Sequence, residues 1–209
     1  MQKIRKGKRE MGDLVARDIE VLIRENFLFE KPEYFSEEEW NSRISDIEGS
    51  QFDLTIDKLY SHTDASNPYL GRYSRDTGRL VELHPIEFTS LKETGWQLYE
   101  DTHYIGLTGE TINMPSNLRG VLAGRSSDFV IGIYPGVTNV SPGYSGKLKF
   151  GLYVTRPMKL GRGARIITAT FRTFSFYCNT DNLSNEYVQP YNGVWGKDKV
   201  TTEGVERPS

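Results

Sequence analysis

Cysteine is nearly absent: among 209 residues the sequence has one, Cys178. One cysteine cannot form an internal disulfide and suits a reducing cytosol, so we expect a cytoplasmic protein. It also cannot supply the Cys-x-x-Cys pair with which zinc-dependent nucleobase deaminases hold their metal. The histidines His62, His84 and His103 lie about 20 residues apart, which is not the spacing of zinc ligands on a helix. We therefore expect no zinc.

Long apolar runs are missing as well. The longest span only a few positions, as at residues 129–131, whereas a membrane-crossing helix needs about 20. We therefore expect no membrane partner. The first ten residues hold five Lys or Arg with no apolar stretch behind them, so we expect no signal peptide. Residues 1–12 are interpreted as a flexible basic tail.

Two helices are predicted near the N-terminus. Ile19, Leu22 and Ile23 fall at i, i+3 and i+4, which predicts a short amphipathic helix over residues 17–26. A second helix is predicted to begin at Ser36, because Ser36 and Glu39 have the spacing of a capping box.

Beyond residue 49 the pattern predicts a mainly β fold. Residues with β-branched and aromatic side chains alternate with polar ones between frequent Gly, Pro and Asn, which is typical of a barrel or sandwich. Residues 64–78 are predicted to form a loop or ragged hairpin. The predicted strands are 52–59, 95–99, 104–111, 118–123, 146–154 and 164–176.

Charge is divided between the two halves of the chain. Residues 1–110 hold 14 basic and 22 acidic residues, whereas residues 111–209 hold 12 basic and 6 acidic ones. Within residues 115–172, nine basic residues face a single acid, Asp128. This imbalance favours an anionic ligand. The alternative is that these residues lie on the outer face of a sheet and are compensated by the acidic half.

The segment Gly124-Arg125-Ser126-Ser127 is a candidate phosphate site. Its glycine allows close backbone approach, while a guanidinium and two hydroxyls offer hydrogen-bond donors. The same four residues also suit a turn.

Several stretches occur in the order seen in one family: Gly49-Ser50-Gln51-Phe52-Asp53-Leu54, Met114-Pro115-Ser116-Asn117-Leu118, Gly124-Arg125-Ser126-Ser127, Ser141-Pro142-Gly143-Tyr144-Ser145-Gly146 and Gly163-Ala164-Arg165-Ile166. The chain thereby resembles the zinc-independent dCTP deaminases of the trimeric dUTPase superfamily, from about residue 14 onward.

The resemblance implies a distorted β-barrel or jelly-roll with short N-terminal helices, at residues 13–188. It also implies a homotrimer with nucleotide sites between subunits, in which Arg125, Ser126 and Ser127 contact the triphosphate. A C-terminal arm at residues 189–209 would close over the ligand; its candidate residues are Tyr191, Trp195 and Lys197. Asp53 matches a motif that implies indirect contact with Mg²⁺, although it also suits a strand-end cap.

The base-reading segment is less clearly marked. The hairpin between residues 131 and 141 is about two residues shorter than in the deaminases. Thr138 and Asn139 can contact a base or sugar, and Tyr144 can stack on a base. Thr138 and Asn139 equally suit a turn, and Tyr144 equally suits the core.

The main departures concern catalysis. Gly151 stands where the family has its catalytic glutamate, Ser141 where it has an aspartate, and Val130 where it has a second arginine. Deamination without a metal needs a carboxylate to transfer protons, and losing such a group costs about 10²–10⁴-fold in rate. Asp128 is the remaining acid in this region, where it would repel a phosphate unless it paired with arginine or held Mg²⁺. No catalytic residue is assigned.

These observations predict a nucleotide-binding, catalytically impaired protein that binds, regulates or sequesters a nucleotide. One alternative is an active dCTP deaminase or dUTP diphosphatase that uses Asp53, Asp128 or an acid from a neighbouring subunit. A structural or nucleic-acid-contacting protein is the second alternative, with nucleic acid the disfavoured partner. Glu110 and Glu100 lie outside the matched catalytic segments and are not candidates.

Overall fold

The structure is a computed structural model that describes residues 13–25, 27–47, 49–63, 69–70, 75–76, 78–91, 93–136 and 138–173. Within these ranges the chain is mainly β, as predicted, with three short helices. The helices are α1 (Ala16–Arg24), α2 (Glu37–Ser45) and α3 (Ser126–Ile131). The strands are β1 (Phe29–Glu30), β2 (Gln51–His62), β3 (Tyr69–Leu70), β4 (Arg75–Asp76), β5 (Leu80–Leu83), β6 (Ile86–Phe88), β7 (Glu93–Leu98), β8 (Thr102–Thr108), β9 (Thr111–Asn113), β10 (Leu118–Gly124), β11 (Ile133–Pro135), β12 (Asn139–Val140), β13 (Ser145–Gly146), β14 (Lys149–Val154), β15 (Met158–Gly161) and β16 (Arg165–Thr173).

The two N-terminal helices form as their sequence patterns predict. The α1 helix buries Ile19 and Ile23 on one face. The α2 helix starts with a capping box in which the Ser36 hydroxyl accepts from the Glu39 amide and the Glu39 carboxylate accepts from the Ser36 amide. None of the helices in the described ranges is long and apolar enough to cross a membrane.

An eight-stranded antiparallel sheet forms the centre of the fold. Its strand order is β11-β14-β8-β2-β16-β10-β12, with β5 paired to β2, and the sheet curls into a half-barrel. The twelve-residue strand β2 lies in the middle, where its first half pairs with β16 and its second half with β8 and β5. The mainly β, barrel-like fold with short N-terminal helices is thus confirmed.

The predicted strands differ from the observed ones mainly at their ends. The predicted strand at 146–154 is divided into β13 and β14. Thr173 is the last residue of β16, and the rest of that prediction lies outside the described residues. In the predicted hairpin at 64–78, β3 and β4 pair antiparallel. The α3 helix is not among the predicted elements. It begins at Ser126, inside the segment that the sequence marks as a candidate phosphate site or turn.

Two irregularities interrupt the pairing of β2 with its neighbours. Between β2 and β16, the register shifts so that Ile166 is an extra residue on β16. Between β2 and β8, Asp57 is the extra residue. Such bulges re-aim side chains and carbonyl groups. Here they turn the Arg165 carbonyl and the Asp57 carboxylate toward cationic side chains.

A buried ion pair joins α2 to the sheet. The Glu110 side chain is fully buried, and its Oε1 lies 2.9 Å from Nη1 of Arg43. The other carboxylate oxygen, Oε2, accepts a 2.9 Å hydrogen bond from the Thr55 amide. Arg43 also donates to the Asp53 carbonyl and packs over the rings of Phe35, Trp40 and Phe52. Glu110 therefore has a structural environment, consistent with its exclusion from the catalytic candidates.

Removing the Glu110 carboxylate should destabilise the fold strongly. Glu110→Ala leaves the Arg43 guanidinium buried without its partner, which costs about 3–5 kcal/mol in the free energy of unfolding. Urea denaturation measures this cost. The matched control is Glu82→Ala, because Glu82 pairs with Lys58 on the surface, where such a pair contributes about 1 kcal/mol or less. Equal losses for the two variants would contradict the structural role of the buried pair.

Candidate functional site

The candidate phosphate segment connects β10 to α3. Gly124 ends the strand, Arg125 has extended backbone, and the Ser126 and Ser127 side chains are exposed at the start of the helix. A Cβ atom on Gly124 would lie 2.6 Å from Cζ of Phe129 and 2.9 Å from Cγ of Pro135. Glycine is thus required here because the ring of Phe129 packs directly on the backbone.

Arg125 is held in place by two partners from other strands. Its Nε lies 2.9 Å from Oδ2 of Asp53, and its Nη1 donates a 3.1 Å hydrogen bond to the Arg165 carbonyl. The other oxygen of Asp53 accepts a 2.7 Å hydrogen bond from the Thr168 hydroxyl. The Arg125 side chain keeps 30% of its surface exposed. Arg125 is therefore fixed in orientation while part of its fork still faces solvent.

Asp53 does not fit a direct magnesium site. Both of its carboxylate oxygens already have partners, one in Arg125 and one in Thr168. Within the described ranges, no group of three or more His, Cys, Asp or Glu side chains could hold a metal ion. Indirect contact of Asp53 with Mg²⁺ stays a prediction.

Asp128 is a buried acid beside this cluster. It keeps 4% of its surface exposed, and its Oδ2 has no hydrogen-bond partner. Burial raises the pKa of Asp128, and the nearby Asp53 charge adds to the rise, although Arg125 and the Ser127 hydroxyl act in the opposite direction. Asp128 therefore holds its proton to higher pH than an exposed aspartate does.

Gly151 lies on β14 beneath a histidine of the neighbouring strand. A Cβ atom at position 151 would lie 2.9 Å from Nε2 of His103, closer than real Cβ contacts come. The imidazole therefore takes the space that a side chain at 151 would enter. Ser141 is exposed, and its carbonyl accepts from the Tyr144 amide in a turn.

The hairpin residues lie beside both segments. Thr138 and Asn139 are exposed, and the Thr138 carbonyl accepts from the Leu122 amide of β10. The Gly136 amide donates to the Gly151 carbonyl at 2.7 Å, so the same loop borders β14. The structure thus brings the Arg125 segment, the hairpin and Gly151 together. Base or sugar contacts by Thr138 and Asn139 stay predictions.

Tyr144 lies in the core rather than on the open surface. It keeps 6% of its surface exposed, and its hydroxyl donates a 2.9 Å hydrogen bond to the Lys147 carbonyl. Burial raises the pKa of Tyr144 to about 12. Its stacking on a base stays a prediction. The arm residues Tyr191, Trp195 and Lys197, and also Cys178, lie outside the described residues.

Much of the predicted basic region is compensated. Within the described ranges, at least four of its nine basic residues form ion pairs with carboxylates from the acidic half, which supports the alternative of a compensated sheet face. At Asp57, burial acts to raise the pKa, but hydrogen bonds from Lys147 and Arg162 outweigh it and hold the pKa low. This pairing weakens the positive field that a nucleic acid would meet. The pairs are Arg125 with Asp53 (2.9 Å), Lys147 with Asp57 (2.8 Å), Arg162 with Asp57 (2.7 Å) and Arg172 with Asp13 (2.7 Å).

A groove of about 430 Å³ opens on the other side of Arg165, between α2 and Gly163. Its lining includes Arg43 and Arg165, and also the carboxylates of Glu38 and Glu39. Those carboxylates would repel a triphosphate. Phosphate contact by Arg125, Ser126 and Ser127 stays a prediction.

Neutralising Asp128 should stabilise the protein at neutral pH. The folded state raises the pKa of this carboxyl, so ionising it lowers the free energy of unfolding. The loss is complete above the folded-state pKa and disappears as the pH falls toward 3.8, the ordinary pKa of the group. Asp128→Asn should therefore raise Tm at pH 7.5 relative to the wild type, with a smaller gain at pH 5. Thermal unfolding at both pH values measures this. A loss of stability at pH 7.5 would contradict the raised pKa.

The comparisons with known proteins agree with the fold. Residues 37–174 match the model of the dCTP deaminase-like family. Among solved structures, the chain is similar to the 2′-deoxycytidine 5′-triphosphate deaminase from Agrobacterium tumefaciens, with 19% identity over 79% of this chain and a TM-score of 0.58. The match covers 49% of the deaminase, so the chain spans about half of its length, and at this identity the likeness shows the fold alone.

A dUTPase of Staphylococcus bacteriophage 80alpha is also similar, with 14% identity over 54% of this chain and 92% of the dUTPase. Its TM-score of 0.33 is too low to support a conclusion. No curated protein sequence matches the chain. The family match alone covers well over half of the chain, and the chain therefore belongs to the dCTP deaminase-like family.

Proposed function

We propose that this protein binds a nucleoside triphosphate at Arg125, Ser126 and Ser127 and acts by regulating or sequestering it, with catalysis impaired. Membership of the dCTP deaminase-like family supports a nucleotide-related function. The finer proposal rests on two observations taken together. Arg125 is anchored by Asp53, and position 151 is a glycine beside which the His103 imidazole fills the space.

Phosphate binding is supported by the way Arg125 is held. A guanidinium has five N–H donors, and Asp53 and the Arg165 carbonyl use two of them. The remaining donors are left for an anion, together with the exposed hydroxyls of Ser126 and Ser127. Because the side chain is already oriented, an incoming phosphate does not have to order it. The Asp53 charge opposes the phosphate but also holds the arginine in position.

Impaired catalysis is supported by the absence of a proton-transfer carboxylate where the resemblance implies one. Gly151 has no side chain, and His103 Nε2 occupies the space above it. The hydroxyl of Ser141 is a poor base at neutral pH. The loss of one general acid or base costs about 10²–10⁴-fold in rate. Binding energy can survive that loss, because phosphate contacts do not need the carboxylate.

The proposal extends to assembly and ligand. A homotrimer with sites between subunits follows from the resemblance, as does closure of the C-terminal arm at residues 189–209. The similar Agrobacterium protein is named as a deaminase of 2′-deoxycytidine 5′-triphosphate. Pyrimidine deoxynucleoside triphosphates are therefore the first ligands to test.

Replacing Arg125 should weaken triphosphate binding. Arg125→Gln removes the charge-assisted hydrogen bonds, so we expect the Kd for dCTP, dUTP and inorganic tripolyphosphate to rise about 10- to 100-fold by calorimetry. The matched control is Arg24→Gln, because Arg24 forms a surface pair with Glu20 on α1, away from the site. Unchanged affinity in Arg125→Gln, or absence of binding in the wild type, would contradict the proposal.

A second candidate function is residual turnover that uses Asp128. The motivating observation is a buried carboxyl with a raised pKa and an unpartnered oxygen next to the Arg125 cluster. A buried carboxyl whose pKa is raised above the ordinary value of aspartate is better suited to general acid or base catalysis than an exposed one. Asp53 is less suited, because both of its oxygens are engaged.

Turnover assays separate the two candidates. For a binding protein, we expect dCTP and dUTP to remain unconverted by the wild type, as followed by chromatography of the products. If turnover occurs through Asp128, Asp128→Asn should abolish it while the Kd for the nucleotide stays unchanged. Conversion at the 1–10³ s⁻¹ of ordinary enzymes would contradict impaired catalysis.

A further inference from the structure

A row of ring side chains crosses four strands on the outer face of the sheet. Tyr134 of β11 is paired with Tyr153 of β14, and Tyr153 is paired with His103 of β8. Residues paired in this way lie side by side on one face. The rings of His103 and His62 are stacked, with centroids 5.9 Å apart. At the opposite end, the ring of Phe129 lies 5.6 Å from that of Tyr134. We call these five residues the ring row.

The ring row is open to solvent. Phe129, Tyr134 and Tyr153 keep 42%, 44% and 40% of their surfaces exposed. Neighbouring positions on β14, Leu152 and Val154, are buried in the core, so the rings occupy the outward positions of the strand. Contiguous exposed aromatic surface on a soluble domain marks a binding site more often than isolated apolar residues do.

Gly151 allows the row to continue from β14 to β8. Because residue 151 has no Cβ, Nε2 of His103 can approach its backbone. A larger side chain would push the imidazole away from this position. The hydroxyl of Tyr153 donates to Oδ1 of Asp101 at 2.9 Å, which holds the ring in the middle of the row. Tyr153 is therefore oriented by this hydrogen bond as well as by its strand.

The row is continuous with the phosphate segment. Phe129 belongs to α3, which starts at Ser126, and its ring packs on Gly124. Cationic side chains border the row. Arg156 donates from Nε to the Ile131 carbonyl at 2.7 Å, and Lys149 lies on β14 with its Nζ 5.7 Å from the ring centroid of Tyr60. A ligand with an anionic end and a planar ring would match a surface that runs from the phosphate segment to the exposed rings.

We infer that the ring row is a stacking surface for the nucleobase of the nucleotide whose phosphates bind at residues 125–127. This inference rests on the proposed function. Every base presents a π-face, so aromatic stacking tolerates pyrimidines and purines alike. It places the base on Phe129, Tyr134 and Tyr153, and not on the buried Tyr144.

The test compares nucleotides with a ligand that has no base. Calorimetry with dCTP, dATP and inorganic tripolyphosphate is performed on the wild type, Tyr134→Ala and Tyr153→Ala. We expect both nucleotides to bind the wild type more tightly than tripolyphosphate. Each alanine variant should weaken nucleotide binding about 5- to 100-fold and leave tripolyphosphate binding unchanged. Tyr134→Phe and Tyr153→Phe should keep the affinity, because they keep the ring.

Controls separate stacking from other roles of this surface. Phe27→Ala removes an exposed ring outside the row and should leave every Kd unchanged. Native mass spectrometry follows the oligomeric state of each variant. If Tyr134→Ala or Tyr153→Ala changed that state and weakened tripolyphosphate binding equally, the row would be a contact between copies and the inference would be wrong.

The remaining outcomes are equally decisive. If nucleotides and tripolyphosphate bound with the same affinity, and the tyrosine variants changed neither, the stacking surface would be refuted while phosphate binding at Arg125 stood. If none of these ligands bound, the proposed function would fail together with the inference. A short single-stranded oligonucleotide without a triphosphate serves as a further ligand. If it bound more tightly than dCTP and dATP, the mononucleotide assignment would be overturned.

Discussion

The candidate site depends on how strand β2 is held at Asp53. The Asp53 carbonyl accepts from Arg43, and the carboxylate binds Arg125 and the Thr168 hydroxyl. Arg43 is itself fixed by the fully buried Glu110. One buried carboxylate thus determines the position of an arginine on α2, and that arginine contacts the strand that orients the exposed Arg125. The orientation of Arg125 in the candidate phosphate segment therefore depends on the interior of the fold, where unpairing a charge is costly.

Local features of this fold could be predicted from the sequence, whereas long-range ones could not. The capping box at Ser36 and Glu39 needs only neighbouring residues, and the prediction was correct. The long strands carry enough alternation to be recognised, although their ends could not be placed. The pairing of Lys147 with Asp57 joins residues 90 positions apart. A charge count shows that opposite charges are available, but partner choice depends on strand register and on the bulge at Asp57.

The same limit applies to the site. The sequence located the Arg125 segment from its own residues, and the resemblance to the family marked Gly151 as a position without the expected carboxylate. It could not show that His103 lies over Gly151, since this contact follows from the pairing of β8 with β14. Nor could it show that Asp128, placed beside the phosphate segment, is buried with an oxygen left unpartnered. Burial decides whether an acid is a surface charge or a proton carrier, and burial is a property of the whole fold.

Loss of the acid at position 151 and continuity of the ring row have one physical cause. A glutamate there would need the space next to the backbone that His103 Nε2 now fills, and its charge would lie on the face that carries the ring row. A glycine removes both obstacles at once. The imidazole can then lie against the strand beside Tyr153, and the outer face presents rings bordered by Lys149 and Arg156. For the nucleotide binding proposed above, a glycine at position 151 leaves the rings in place, and it offers no side chain for proton transfer.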